Sequence, residues 1–195
     1  MKISVGFRSN LEEMLHVAAN STLIVIDLQP SFLNPIEGSQ TVVERSKFMV
    51  RVAAKLGIPV LATEQYPERM GGTDPELKHE LTDAEALIFG KMAFSAMGSP
   101  DFVAAYESTG RNHAVLVGIE THICVTQTAL ELKAKGHEVT IVADAVSARP
   151  GRHESAVQRL LNHGVDVAHS ESVVYEWMRS AEHPAFREIL GLVKA

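Results

Sequence analysis

The sequence predicts a three-layer α/β/α protein in which helices cover both faces of a mainly parallel, Rossmann-like sheet of six strands. Short runs of β-branched and aliphatic residues alternate with segments of helical spacing, and several of these segments end at a glycine. Such alternation favours right-handed crossovers between parallel strands, which are buried on both faces and therefore read as continuous apolar runs. We expect one domain over residues 1–195, because no linker or repeat interrupts the pattern.

The predicted strands lie at 23–26, 58–62, 86–89, 113–119, 139–143 and 165–168, and the predicted helices at 41–56, 100–108, 121–135 and 153–162. Two stretches, 30–40 and 65–82, are rich in Pro, Gly, Ser and charged residues, so we predict that they are loops. Both follow strands. Ligands of open parallel sheets bind beyond the carboxyl ends of the strands, so these loops are candidate walls or lids of a pocket. The alternative is that they are only surface connections.

Composition narrows the class of partner. The net charge is −6 at pH 7 and no Lys- and Arg-rich run contains interleaved aromatics, so we expect no nucleic-acid partner. The chain has no stretch of about 18 apolar residues, and residues 1–15 lack the apolar run of a secretory signal. We therefore expect no membrane partner and a cytoplasmic location.

Polar residues stand at three predicted strand ends. The run LIVID ends on Asp27, LIFGK ends on Lys91, and VLVGIETHIC reaches Cys124 just after the fourth strand. Because parallel strands bring their carboxyl ends to one edge, we expect an acid, a cation and a thiol to meet there. Cys124 also lies in the first turn of a predicted helix, where free backbone N–H groups and the helix dipole favour a thiolate.

Each of these residues also has a purely structural interpretation. A lone cysteine such as Cys124 is often a packed, unreactive thiol at a strand-helix junction. Asp27 fits a helix cap or an Asx turn after the first strand. Lys91 lies among apolar neighbours, a setting that favours pairing with a carboxylate over simple exposure to solvent.

The segments LIVIDLQPSF, GKMAFSA and GIETHICVTQTALEL resemble the three catalytic segments of isochorismatase-like cysteine hydrolases, in the family's order. The segments LATEQYPERMGGT, ADAVSAR and HPAFREILGLV resemble the subgroup that contains the isochorismatase-domain proteins and similar uncharacterised bacterial hydrolases. The resemblance covers most of the chain and implies the isochorismatase-like hydrolase fold.

The resemblance also implies roles for individual residues. Asp27 would be the general base, Lys91 the cation that positions the carboxylate and thiol, and Cys124 the nucleophile that forms a thioester with a small amide or related C–N substrate. It further implies a cis peptide between Ile119 and Glu120, with the backbone N–H groups of Glu120 and Cys124 donating to the developing oxyanion.

One departure from the family concerns metal. The metal-dependent nicotinamidases of this superfamily carry an Asp and several His after the second strand, whereas this sequence reads TEQYPERM there and has no histidine between His16 and His79. We therefore expect no metal and no cofactor. Candidate pocket residues from the loops after the first two strands are Gln29, Phe32, Glu64, Gln65 and Tyr66.

Two other functions stay open. A protein with this fold also fits an inactive oligomeric binding or interaction module, because fold alone does not establish activity. Hydrolysis of an enol ether such as isochorismate would need acid catalysis by Asp27 but no cysteine. We expect a homo-oligomer, and the segment VVYEWMRS with Trp177 either packs on the sheet or forms a subunit contact. His122 faces either solvent or a neighbouring subunit.

Overall fold

The computed structural model describes residues 15–194, and its centre is a six-stranded sheet in which every adjacent pair of strands is parallel. The strands are β1 (Ser21–Ile26), β2 (Val60–Gln65), β3 (Leu87–Lys91), β4 (His113–Ile119), β5 (Glu138–Ser147) and β6 (Asp166–Ala168). Their order is β3-β2-β1-β4-β5-β6. The chain thus builds outward from β1 in two directions, and the crevice beyond the ends of β1 and β4 is the topological switch point where such sheets bind ligands.

Helices cover both faces, which confirms the predicted three-layer architecture. They are α1 (Pro30–Leu33), α2 (Ser39–Lys55), α3 (Pro67–Met70), α4 (Pro75–Asp83), α5 (Pro100–Ser108), α6 (Thr126–Ala134), α7 (His153–Asn162), α8 (Ser170–Met178) and α9 (Phe186–Lys194). In β1, Leu23 and Val25 pack in a cluster with α2, α4, α8 and α9, whereas Ile24 and Ile26 pack with α5, α6 and α7. Burial on both faces explains why the strand is an unbroken apolar run.

The prediction of a loop over 65–82 was wrong, because this stretch contains α3 and α4. The carboxylate of Asp74 accepts hydrogen bonds from the backbone N–H groups of Glu76 and Leu77 and so caps the start of α4. Leu77 and Leu81, four residues apart, are fully buried on one face of that helix. The stretch 30–40 likewise contains α1, and α2 begins at Ser39.

Trp177 resolves the two interpretations of the late segment. It lies in α8 with only 3% of its surface exposed, and its indole Nε1 donates to the hydroxyl of Ser21 on β1 at 3.0 Å. The indole therefore packs on the sheet, as the hydrogen bond of a buried tryptophan requires. Tyr175, two residues earlier, is exposed.

Gly118 on β4 lies against the backbone of β1 with no room for a side chain. Its φ is +118°, and a Cβ placed on it would lie 2.1 Å from the carbonyl oxygen of Ile26. Only glycine fits this position, since any side chain would collide with backbone as well as strain φ. The register between β4 and β5 also shifts between Leu116 and Gly118. This contact holds the residue before Asp27 against the strand that leads to Cys124.

Within residues 15–194 no helix is long and apolar enough to cross a membrane. The prediction about an export signal depends on residues 1–14, which lie outside the described part of the chain.

Candidate active site

Asp27 follows β1 directly and is held in an unusual conformation. Its φ is +51°, in the left-handed region that residues other than glycine rarely occupy, and its side chain is 2% exposed. Each carboxylate oxygen has a donor: Oδ1 accepts from the Thr63 hydroxyl at 2.8 Å and Oδ2 from Lys91 Nζ at 2.7 Å. The carboxylate is thus fixed in position while facing a cavity. Unusual backbone conformations of this kind are concentrated at functional sites.

Lys91 ends β3, two strands away from Asp27, and its side chain is fully buried. Besides Asp27, its ammonium donates to Gln65 Oε1 at 2.7 Å and to the carbonyl oxygens of Phe94 at 2.9 Å and Ala93 at 3.3 Å. The buried ammonium is therefore surrounded by acceptors, as a charge removed from water must be.

Thr63 is a site residue that the sequence analysis missed. It lies on β2 between the strands that carry Asp27 and Lys91, and it is paired in register with Ile26, the residue before Asp27. Its backbone carbonyl also accepts from the Asp27 N–H at 3.1 Å. The available signal was a hydroxyl residue at the end of the neighbouring predicted strand, but using it required the strand order.

Cys124 lies in a single π-helical turn, Thr121–Val125, that precedes α6. The peptide between Ile119 and Glu120, at the end of β4, is cis. The cysteine is 7% exposed and faces the same cavity as Asp27. Single π turns interrupt α-helices mostly at functional sites.

The resting thiol does not have the low pKa that its place at a helix start suggested. Burial, and then the charge of Asp27, raise the pKa of Cys124 to about 12, and Lys91 offsets only part of this rise. The thiol is therefore protonated at neutral pH. A nucleophile in this state needs a base to take its proton during attack, and the Asp27 carboxylate is the neighbouring base.

Glu120 is a second acidic residue among those that line the cavity. Its Oε2 accepts from the Arg149 side chain at 2.9 Å and from the Arg149 backbone N–H at 3.1 Å. Burial alone would raise the pKa of Glu120, but the bonds and charge of Arg149 lower it overall. His122 Nδ1 lies 3.9 Å from the same oxygen, with no hydrogen-bond partner among the described residues. The side chain of His122 is 24% exposed, so residues of the same chain cover most of it.

These residues surround a cavity of about 350 Å³ beyond the ends of β1 and β4. Its polar lining residues are Asp27, Gln65, Glu120 and Cys124, and its other lining residues are Phe32, Tyr66, Met70, Met92, Phe94, Ile119 and Ile123. The volume lies at the small end of the range of about 300–1,000 Å³ that is typical of ligand pockets.

Two of the predicted pocket residues, Gln29 and Glu64, do not line the cavity but bind the segments around it. The Gln29 side chain is buried, where it accepts from the Gln65 N–H at 2.7 Å and donates to the Gly71 carbonyl at 2.6 Å. Glu64 Oε1 accepts from the backbone N–H and the hydroxyl of Thr73. Both side chains tie the loop before α4 to the sheet. The predicted Phe32, Gln65 and Tyr66 do line the cavity.

The described residues contain no group of three or more His, Cys, Asp or Glu side chains placed to hold a metal ion.

Comparison with known proteins assigns the chain to a family. The isochorismatase domain model matches residues 21–172, which include β1 to β6 and the three clustered residues. The chain belongs to the isochorismatase family. This confirms the resemblance seen in the sequence and, with the fold, supports a hydrolase.

Two members of the isochorismatase family illustrate its range. Isochorismatase domain-containing protein 1 of Danio rerio is 39% identical over 178 residues, which cover 90% of this chain and 62% of the relative, so this chain spans less than two thirds of that protein's length. The secreted isochorismatase effector Isc1 of Phytophthora sojae is 36% identical over 180 residues, covering 90% of this chain and 85% of the relative.

A solved structure described as the MAR1 ribonuclease of Caenorhabditis elegans has the same fold. It superposes with a TM-score of 0.86 and 33% sequence identity, covering 92% of each chain. The shared architecture extends through the sheet and the helices on both faces.

Proposed function

We propose that this isochorismatase-family protein is a cysteine hydrolase of small amides or related C–N compounds, with Asp27, Lys91 and Cys124 as its catalytic residues. One observation carries the proposal: a protonated, buried thiol and a fixed carboxylate face the same small cavity, and the carboxylate is held by a buried ammonium. This is the arrangement of a nucleophile beside its general base.

The reaction proceeds in two halves. The thiol of Cys124 attacks the carbonyl carbon while its proton passes to Asp27, and Asp27 returns this proton to the nitrogen as ammonia or an amine leaves. The resulting thioester is then attacked by water, whose proton passes to Asp27 and on to the departing thiolate. The products are a carboxylic acid and the regenerated thiol.

Backbone donors complete the proposed site. We assign the oxyanion of the tetrahedral intermediates to the N–H groups of Glu120, which precedes the π-helical turn, and of Cys124, which lies within it. Preorganised donors of this kind are worth about 10²–10³ in kcat each. Lys91 supports both Asp27 and Cys124. Its hydrogen bond fixes the orientation of the Asp27 carboxylate, and its charge partly offsets the rise in the pKa of Cys124.

The test measures product and intermediate together. The protein is screened with primary amides for ammonia release, and acid-quenched samples are analysed by intact mass spectrometry for an acyl adduct located on Cys124. We expect both signals in the wild type and neither in Cys124→Ala or Cys124→Ser, with unchanged circular dichroism. Full turnover in both purified variants would refute covalent thiol catalysis.

The same variants separate the alternatives. Enol ether hydrolysis by Asp27 alone would survive in Cys124→Ala, whereas Asp27→Asn would abolish it. An inactive binding module would show neither ammonia release nor acylation in the wild type.

Cleavage of RNA is a second candidate because the C. elegans neighbour is described as a ribonuclease. The net charge of −6 and the small cavity favour the amide reaction instead. A labelled single-stranded RNA, incubated with the wild type and with Cys124→Ala, distinguishes them: cleavage in the wild type without amide turnover would overturn our choice.

We further propose that residues 1–195 act as one domain, within a homo-oligomer, on a small molecule in the cytoplasm and without a cofactor. The sequence supports this location, whereas the P. sojae relative is named a secreted effector. Light scattering on the purified protein measures the subunit number, and a monomer would contradict the oligomer proposal.

A further inference from the structure

The described residues that line the cavity include no lysine or arginine, so none of them offers a cation to a substrate. The nearby ammonium of Lys91 is fully buried and already contacts Asp27, Gln65 and the Phe94 carbonyl. A substrate carboxylate that entered the cavity would therefore lose its hydration without gaining an ion pair, which is unfavourable.

The charges that do face the cavity have the wrong sign for an anion. Asp27 and Glu120 are both among the residues that line the cavity. Arg149 keeps Glu120 ionised through two hydrogen bonds, and its guanidinium is directed to that carboxylate from outside the lining. A carboxylate on the substrate would thus meet like charges, which discriminates against anionic compounds.

The remaining walls are apolar. Phe32, Met70 and Ile123 lie along the cavity, and Met92 and Phe94 stand at its rim with 66% and 55% of their surfaces exposed. Large apolar side chains that remain this exposed beside a pocket are covered favourably by an apolar ligand.

We propose that the site accepts primary amides whose acyl group is uncharged and apolar, either alkyl or aryl, and excludes amides that carry a carboxylate. This rests on the proposed hydrolase function and names its substrate class. Dicarboxylates, isochorismate among them, are excluded for the same reason.

A matched pair of ligands tests the charge rule. Hexanamide and adipic acid monoamide have the same chain length and differ in the terminal group, as do 4-methylbenzamide and 4-carbamoylbenzoate in the aryl series. We expect kcat/KM for ammonia release to be at least about 100-fold higher for the neutral member of each pair. Calorimetric titration of Cys124→Ala should show the same preference in Kd.

A charge-introducing variant sharpens the test. Phe94→Arg places a cation at the rim and should improve binding of the carboxylate members by up to about fivefold, the contribution of one exposed ion pair. Leu161→Arg, an exposed apolar residue on α7 outside the cavity lining, is the matched control and should leave both affinities unchanged.

The binding measurement separates the two proposals. Selective binding of the neutral amides to Cys124→Ala supports the substrate class even if the wild type turns over none of them, a result that would defeat the hydrolase proposal alone. Carboxylate members that bind or react as well as their neutral partners would overturn the substrate class and leave the hydrolase intact. Absence of binding by both neutral amides would also overturn it.

Discussion

The ammonium of Lys91 lies 2.7 Å from Oδ2 of Asp27, and both side chains are almost completely buried. A buried ion pair is costly to break because the remaining charge is left without a partner. Here the pair joins the ends of β1 and β3 across β2, so the same contact serves the site and the sheet.

The first prediction concerns the stability of this pair. Lys91→Met should lower the free energy of unfolding by about 3–5 kcal/mol, because it leaves the Asp27 carboxylate buried and unpaired. The double variant Asp27→Asn with Lys91→Met should lose less than Lys91→Met alone, since the unpaired charge is gone. Urea denaturation measures both.

The control is the exposed pair of Lys55 and Glu188, whose partners are hydrated when separated. Lys55→Met should cause a much smaller loss. Equal losses for Lys55→Met and Lys91→Met would show that the buried pair contributes no more to stability than an exposed one.

The second prediction concerns thiol reactivity. Burial and Asp27 raise the pKa of Cys124 to about 12 and Lys91 counteracts the rise. Asp27→Asn should therefore lower the thiol pKa and speed alkylation by iodoacetamide at neutral pH, although turnover collapses. Lys91→Met should raise the pKa further and slow alkylation.

A rate series across pH provides the measurement, and Thr63→Val is the matched control because it removes a hydrogen bond to Asp27 without changing any charge. The opposite shifts of the two charge variants are the diagnostic result. Slower alkylation in Asp27→Asn than in the wild type would mean that Asp27 does not act electrostatically on this thiol.

The third prediction concerns two stacked histidines at the opposite edge of the sheet. The rings of His16 and His113 lie 5.1 Å apart, and each has its Nε2 within 2.9 Å of the Thr140 hydroxyl. His16 also contacts the carboxylates of Glu176 at 2.6 Å and Asp166 at 3.3 Å. The ring of His16 is therefore placed to carry a positive charge beside a neutral His113 ring.

Their pKa values move in opposite directions. Burial lowers the pKa of His16, but hydrogen bonds to Asp166 and Glu176 raise it overall, above 6.5. Burial and the charge of His16 lower the pKa of His113 to about 4. Stability from His16 is complete below pH 6.5 and is lost as pH rises through its folded pKa. Stability linked to His113 is lost as pH falls from 6.5 to 4, by at most about 3 kcal/mol.

His16 and His113 together should therefore contribute most to the free energy of unfolding near pH 6.5. Urea midpoints between pH 4.5 and 8.5 test this. His113→Asn should reduce the loss of stability as the pH falls below 6.5, whereas His16→Asn should reduce the loss of stability as the pH rises above 6.5. Identical pH profiles in the wild type and both variants would contradict the assignment.

The fourth prediction concerns the close approach of β4 to β1. Gly118→Ala should cost on the order of 3–5 kcal/mol, because its Cβ would collide with the Ile26 backbone next to Asp27. Gly110→Ala is the control, since Gly110 also has a positive φ of +64° but no atom within 4 Å of an added Cβ. It should cost only about 1–2 kcal/mol. Thermal unfolding of both variants decides whether the contact matters beyond the strain in φ.

The sequence by itself determined the architecture and the edge of the sheet where the polar residues gather. Burial of parallel strands on both faces leaves continuous apolar runs such as LIVI, and the polar residue after each run marks a strand end. Asp27, Lys91 and Cys124 could be singled out for this reason. The helix over 75–83 was also readable from Asp74, Pro75 and the buried pair Leu77 and Leu81, but the Pro and Gly around it favoured a loop.

Only the tertiary structure decided how these residues act on one another. Thr63 belongs to the site because the strand order and register place it opposite Ile26. Neither the order nor the register can be read from local periodicity. Gln29 and Glu64 do not line the cavity because their side chains bind the loop before α4, at Gly71 and Thr73, and this placement depends on how that loop folds back on the sheet. The thiol pKa rose because burial and the charge of Asp27 depend on three-dimensional distances, and these outweigh the local effect of a helix start.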